Sequence, residues 1–111
     1  SLADSLGGGI GLSNRLSFQM CRELLDEVIL VSEGEIYRAM QMLYFEEGLV
    51  AEGASVVGIA AFLSDRLERL KGPTATLITG RNVDMGQFTR VIAGQSIQLG
   101  TLRLGGSPYA A

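Results

Sequence analysis

Apolar positions along this chain recur with two different spacings, and the spacings divide it into elements. From Ser13 to about Asp26, Leu16, Met20 and Leu24 return every four residues, with Cys21 and Leu25 beside them. That stripe predicts an amphipathic helix. Val28 to Val31 is an unbroken run of β-forming residues and predicts a strand buried on both faces. Ser32 then stands three residues before Glu35, the capping-box spacing. The helix it opens carries Ile36, Met40, Leu43 and Tyr44 on one side, and Gly48 suits the residue just past its end.

A third helix is expected from Ala54 to Leu70. Small residues at its start (Ala54, Ser55, Gly58, Ala60, Ala61) permit close approach to a neighbour. Its charged end offers Asp65 and Arg69 as an i,i+4 pair, and Gly72 and Pro73 stop it. Ala75 to Ile78 predicts a second buried strand. A last helix is expected from Asp84 to Ala93, with Asp84 and Gln87 at capping-box spacing. Residues 95–104 alternate loosely enough for an edge strand, and residues 105–111 read as a frayed tail. The glycine-dense opening, with Gly7, Gly8, Gly9 and Gly11, also carries Leu6, Ile10 and Leu12. It is too apolar for a solvated linker and reads as a loop lying against another surface.

Helices alternating with short buried strands predict an α/β layer with a short parallel sheet. Two or three strands leave edges and faces uncovered, so the expectation is part of a larger fold. The 111 residues are 47% hydrophobic, enough for one small core. A net charge of −3 without a basic cluster argues against a nucleic-acid partner. Neither a signal-peptide pattern nor a long apolar run is seen, so no membrane partner is expected. With one cysteine, Cys21, no intrachain disulfide can form, which fits a reducing, cytoplasmic setting. Histidine is absent, which removes the usual transition-metal sets and histidine-dependent nucleophiles, so no metal site is expected.

Candidate chemistry concentrates at the end of the second predicted strand, where ligands sit in open α/β sheets. Thr79 ends the strand, Gly80 permits a tight turn, and Arg81 and Asn82 either face a crevice or simply fill an ordinary strand-to-helix turn. Glu52 lies between apolar and small residues. It is either a helix-start acid favoured by the macrodipole or a carboxylate facing a pocket. Lys71, the one lysine, lies in a loop with no desolvating surroundings and reads as solvent-facing.

The succession SLAD, RELLDEVILVSEGEI, EEGLVAEGASVVGIAAFL and LITGRNVD resembles threonine/serine dehydratases, pyridoxal-phosphate enzymes of fold type II like the β-subunit of tryptophan synthase. The family pattern is a Leu-Ala-Asp-Gly loop, a Ser/Thr-Glu helix start, Glu-Pro-Ala-Gly, and finally Ser-Gly-Gly-Asn. The resemblance implies that residues 1–94 are the carboxyl-terminal portion of the three-layer catalytic domain, and that 95–111 form an edge strand and tail. It implies that Thr79 hydrogen-bonds the pyridine nitrogen of pyridoxal 5′-phosphate, with Gly80, Asn82 and Glu52 beside the cofactor. Ala3, Asp4, Ser5 and Arg81 would lie on the substrate side.

Three departures stand out: Ser5 for the family Gly, Gly53 for Pro, and Arg81 for the second Gly of Ser-Gly-Gly-Asn. They suggest a divergent branch similar to the dehydratases of ectoine and hydroxyectoine utilisation. The reaction implied is conversion of a 2-amino-3-hydroxy acid to a 2-oxo acid and ammonia, in a homodimer. The family's Schiff-base lysine and phosphate loop have no counterpart here, so no catalytic residue is assigned. The chain alone is expected to be inactive, its first partner being the missing amino-terminal portion. A related racemase or β-eliminase, or a stand-alone α/β binding module, are the alternatives.

Overall fold

The computed structural model describes residues 1–67 and 70–110. Among them are four helices, α1 (Ser17–Leu24), α2 (Glu33–Glu47), α3 (Val57–Leu63) and α4 (Met85–Ile92). Two short strands follow, β1 (Ile97–Leu99) and β2 (Leu102–Leu104), and single 3-10 turns occupy Asp4–Leu6 and Gly53–Val56.

The fold is organised on α2. Ser32 Oγ accepts from the Glu35 amide at 3.3 Å while the Ser32 amide donates to Glu35 Oε2 at 2.5 Å, so the capping box closes in both directions. Gly48 ends the helix at φ 66°, where a side chain would be strained. Between these ends Ile36, Tyr37, Ala39, Met40, Gln41 and Leu43 are all buried. These positions cover most of the helix circumference, so α2 is a central helix with neighbours on several sides. The 53–56 turn, α3 and α4 pack against it, and Leu2 and Ala3 of the opening segment enter the same core. Gln41 is the buried polar residue of α2. Its Nε2 donates to the carbonyls of Val91 at 2.8 Å and Ser107 at 2.9 Å, which removes the penalty of burying an amide.

The α/β composition stands, but the pairing differs from the parallel sheet expected. The observed sheet is an antiparallel hairpin in which Ile97 faces Leu104 and Leu99 faces Leu102, with Gly100 turning at φ 59°. Residues 28–31 and 75–78 join no ladder among the described residues. Val28, Leu30 and Leu77 are 73%, 82% and 83% exposed, while Ile29 is half-buried and Val31 packs against the edge of the core. A buried-strand sequence supplies the side chains for a sheet but not the neighbouring strands. The predicted 13–26 helix is present over 17–24 with none of its residues buried, so its stripe also meets no partner.

The third helix is shorter than expected. The Ser64 hydroxyl donates to the Ala61 carbonyl at 2.7 Å and Asp65 adopts φ 58°, which ends α3 at Leu63. The expected Asp65–Arg69 pair falls outside the described residues, since Arg69 is not among them. The expected frayed tail is instead held: Tyr109 stacks on Phe45 at 5.0 Å and its hydroxyl donates to Glu46 Oε1 at 2.7 Å. Leu2 and Ala3 of the opening segment are buried, but the glycine run expected to lie against a surface is exposed throughout. Leu6, Ile10 and Leu12 stay exposed.

Two global quantities agree with the open faces. The radius of gyration is 15.1 Å, against about 13 Å for a compact domain of this length. The accessible surface is 8016 Å², against about 5,900 Å² for a compact monomer of 11.8 kDa.

Candidate functional site

The 79–82 turn rests on the 53–56 turn; two glycines make that approach possible, and a third admits the opening segment. A Cβ at Gly58 would lie 2.0 Å from Thr76 Oγ1, so its absence lets residues 74–79 cross close over α3. A Cβ at Gly80 would lie 2.1 Å from Glu52 Oε1, so only glycine sits there without moving the carboxylate. At Gly53 the obstacle would be backbone, the Leu2 carbonyl oxygen at 2.2 Å. The loss of the family Pro at position 53 therefore matches a close-packed opening segment.

Ser55 ties these pieces together. It is 2% exposed, and its Oγ accepts from the Gly80 amide at 2.8 Å. The same oxygen lies 2.8 Å from the Gly80 carbonyl, 3.2 Å from Thr79 Oγ1 and 3.5 Å from Glu52 Oε1. The Glu52 amide donates to the Gly80 carbonyl at 3.2 Å. By sequence alone Ser55 is one of several small residues at a helix start. The signal that marks it is its place as fourth residue of the Glu-Pro-Ala-Gly pattern, where it stands for Gly.

Glu52, Asn82 and Asp4 line one polar cleft of about 180 Å³ with Ser1, Asp84 and Gln87. The remaining predicted residues lie around it. Thr79 is exposed, with its hydroxyl against Ser55. Arg81 and Ser5 are exposed and do not line that cleft, while Ala3 is buried in the core at 7% exposure. A larger cleft of about 510 Å³ lies between Arg38, Gln41, Leu63 and Tyr109 and contains none of the predicted residues.

The residues present suit one end of a pyridine-type cofactor. Thr79 offers an exposed neutral hydroxyl anchored on its inner side by Ser55, and Gly80 lets the Glu52 carboxylate lie directly against the turn that carries it. The Gly7–Gly11 run, by contrast, is exposed and follows no strand, unlike a phosphate-binding loop. Among the described residues no group of three or more His, Cys, Asp or Glu could hold a metal ion, and no helix is long and apolar enough to cross a membrane.

Comparison with known proteins identifies this architecture. The family described as pyridoxal-phosphate dependent enzyme matches residues 1–80, and the chain belongs to that family. A Sinorhizobium fredii protein named "Putative threonine dehydratase" is 51% identical over 94 residues, covering 85% of this chain and 28% of its own length. The L-threonine dehydratase catabolic TdcB of Escherichia coli K12 is 33% identical over 93 residues, covering 82% of this chain and 28% of its own. An L-threonine ammonia-lyase of Geobacter sulfurreducens is 38% identical over 76 residues, 68% of this chain and 19% of that protein. The chain thus spans less than a third of the length of these relatives.

Proposed function

We propose that the chain forms the ring-nitrogen end of the cofactor site in a threonine/serine-type dehydratase, as its carboxyl-terminal portion. The whole enzyme converts a 2-amino-3-hydroxy acid to a 2-oxo acid and ammonia. Pyridoxal phosphate, when bound, supplies the electron sink for that elimination.

The observation that carries this reading is Thr79, exposed on one side and held by Ser55 at 3.2 Å on the other. A neutral hydroxyl there offers a hydrogen bond to an aromatic nitrogen without the negative charge that would favour its protonation. Gly80 lets the turn lie against Glu52, while Glu52 and Asn82 shape the cleft beside the ring. Asp4 lines the same cleft on the amino-acid side, in a turn anchored in the core by Ala3, and Arg81 presents a guanidinium suited to a carboxylate.

About 2,000 Å² of surplus surface supports a large internal face, since permanent interfaces reach that size. That face is covered by the rest of the enzyme. Lys71 is exposed, so the chain alone has no lysine in a desolvating pocket and is inactive. Cys21 is exposed and free, which supports a reducing, cytoplasmic setting for a homodimeric parent. The departures at Ser5, Gly53 and Arg81 support a divergent branch, for which a role in ectoine and hydroxyectoine utilisation is our reading.

The test is Thr79→Asp in the full-length enzyme, followed by 2-oxo acid release from L-threonine and L-serine. A fall in kcat of about 10- to 100-fold is expected, the worth of one hydrogen bond to a charged group. Unchanged kinetics would remove Thr79 from the ring nitrogen.

A further inference from the structure

We infer that Ser55 is a positioning residue that sets the direction of the Thr79 hydroxyl, and so decides whether the site offers the ring nitrogen a donor or an acceptor. The inference rests on the functional reading above and adds a residue that the family pattern does not contain.

The argument is proton counting. A serine hydroxyl has one proton to give and two lone pairs to receive. One lone pair of Ser55 is taken by the Gly80 amide at 2.8 Å. Its single proton has three acceptors in reach: the Gly80 carbonyl at 2.8 Å, Thr79 Oγ1 at 3.2 Å and Glu52 Oε1 at 3.5 Å. If the proton goes to Gly80 or Glu52, the second lone pair of Ser55 receives the Thr79 proton, and Thr79 presents only lone pairs outward. If the proton goes to Thr79, the threonine's own proton must point away, and Thr79 becomes an outward donor.

The 2.8 Å contact favours the first arrangement when nothing is bound. A ring nitrogen with a free lone pair requires the second. The switch is inexpensive because the Gly80 carbonyl keeps the Glu52 amide at 3.2 Å. It also strengthens the outward bond, since a hydroxyl that accepts one hydrogen bond donates a better one. If Thr79 donated outward while Ser55 still faced Gly80, two lone pairs would oppose each other at 3.2 Å. At 2% exposure Ser55 has little access to water that could supply a substitute proton.

The experiment uses the full-length holoenzyme loaded with ring-¹⁵N pyridoxal phosphate. Ser55→Ala and Ser55→Gly, the latter restoring the family residue, are compared with Ser55→Thr, which keeps the hydroxyl. The first two should weaken cofactor binding by about tenfold, one hydrogen bond's worth, and shift the ring-nitrogen resonance, while Ser55→Thr keeps the wild-type resonance. In a Thr79→Val background the Ser55→Ala effect on affinity should vanish, because it acts through Thr79. Equal losses in both backgrounds with an unmoved resonance would overturn the inference and leave Ser55 as a staple for the Gly80 peptide. A wild-type enzyme that binds no pyridoxal phosphate would sink the functional reading itself, whatever Ser55 does.

Discussion

Two regions of this molecule share a hydrophobic pattern and differ in what the pattern meets. Around α2, apolar residues at helical spacing find partners within the chain, and Ala39, Met40, Val56 and Val91 are at most 1% exposed. Along 16–31 the same spacing continues through Leu16, Met20 and Leu24, followed by Val28 and Leu30, yet these side chains are 57% to 82% exposed. Periodicity reports that a face is to be buried; it does not report by what. The first region is a core of this chain, and the second, on the function proposed above, is a face that the rest of the enzyme covers.

The largest test of that contrast is Met40→Ala, a cavity beside the buried side of α2. It should cost about 2–5 kcal/mol, read as a fall in denaturant midpoint. The matching change in the second region, Leu30→Ala, should move the isolated chain by less than about 0.5 kcal/mol. In the full-length enzyme the same change should approach the core value. Equal effects of Leu30→Ala in both settings would erase the distinction.

Next in size is Gly53→Ala, where a new Cβ would meet the Leu2 backbone and force the opening segment to shift. A loss of about 1–3 kcal/mol is expected by thermal unfolding, as for other overpacked sites. A neutral result would mean that Leu2 is free to move and does not belong to the core.

The smallest effect is electrostatic. The Arg66 guanidinium and the Ser32 backbone and side chain hold the Glu35 carboxyl at about 2, below its ordinary 4.5. A depressed folded value adds stability above the unfolded pKa, and that stability is lost as pH falls from about 4.5 towards 2. The pair is partly open, with Arg66 39% exposed, so no more than about 1 kcal/mol is expected. Glu35→Gln should flatten this limb of the stability–pH curve by lowering stability at neutral pH by up to that amount, with little change near pH 2. A steep limb surviving in that variant would place the acid sensitivity elsewhere.

What was legible in the sequence follows from interaction range. The Ser32–Glu35 box, the Gly48 terminus and the Asp84 cap, whose Oδ1 accepts from the Gln87 amide at 2.7 Å, are decided within four residues and were predicted from spacing. The segments 28–31 and 75–78 have strand-like residues, but a ladder needs partners that composition cannot supply. The held tail depends on Gln41 reaching Ser107 and Phe45 stacking on Tyr109, contacts across more than sixty residues. Glu52, Thr79, Gly80 and Asn82 were singled out by motif. Ser55 carries no such match, and a small residue at a helix start has an ordinary explanation until its neighbours are known.

The most direct measurement is hydrogen exchange followed by mass spectrometry, on the chain alone and within the full-length enzyme. Amides of α2 should be protected in both. Those of 28–31 and 75–79 should exchange rapidly in the chain alone and become protected in the whole enzyme, because paired and buried amides open rarely. Equal, rapid exchange of those two segments in both proteins would contradict the account, since the exposed apolar face would then not be an interior surface of the enzyme.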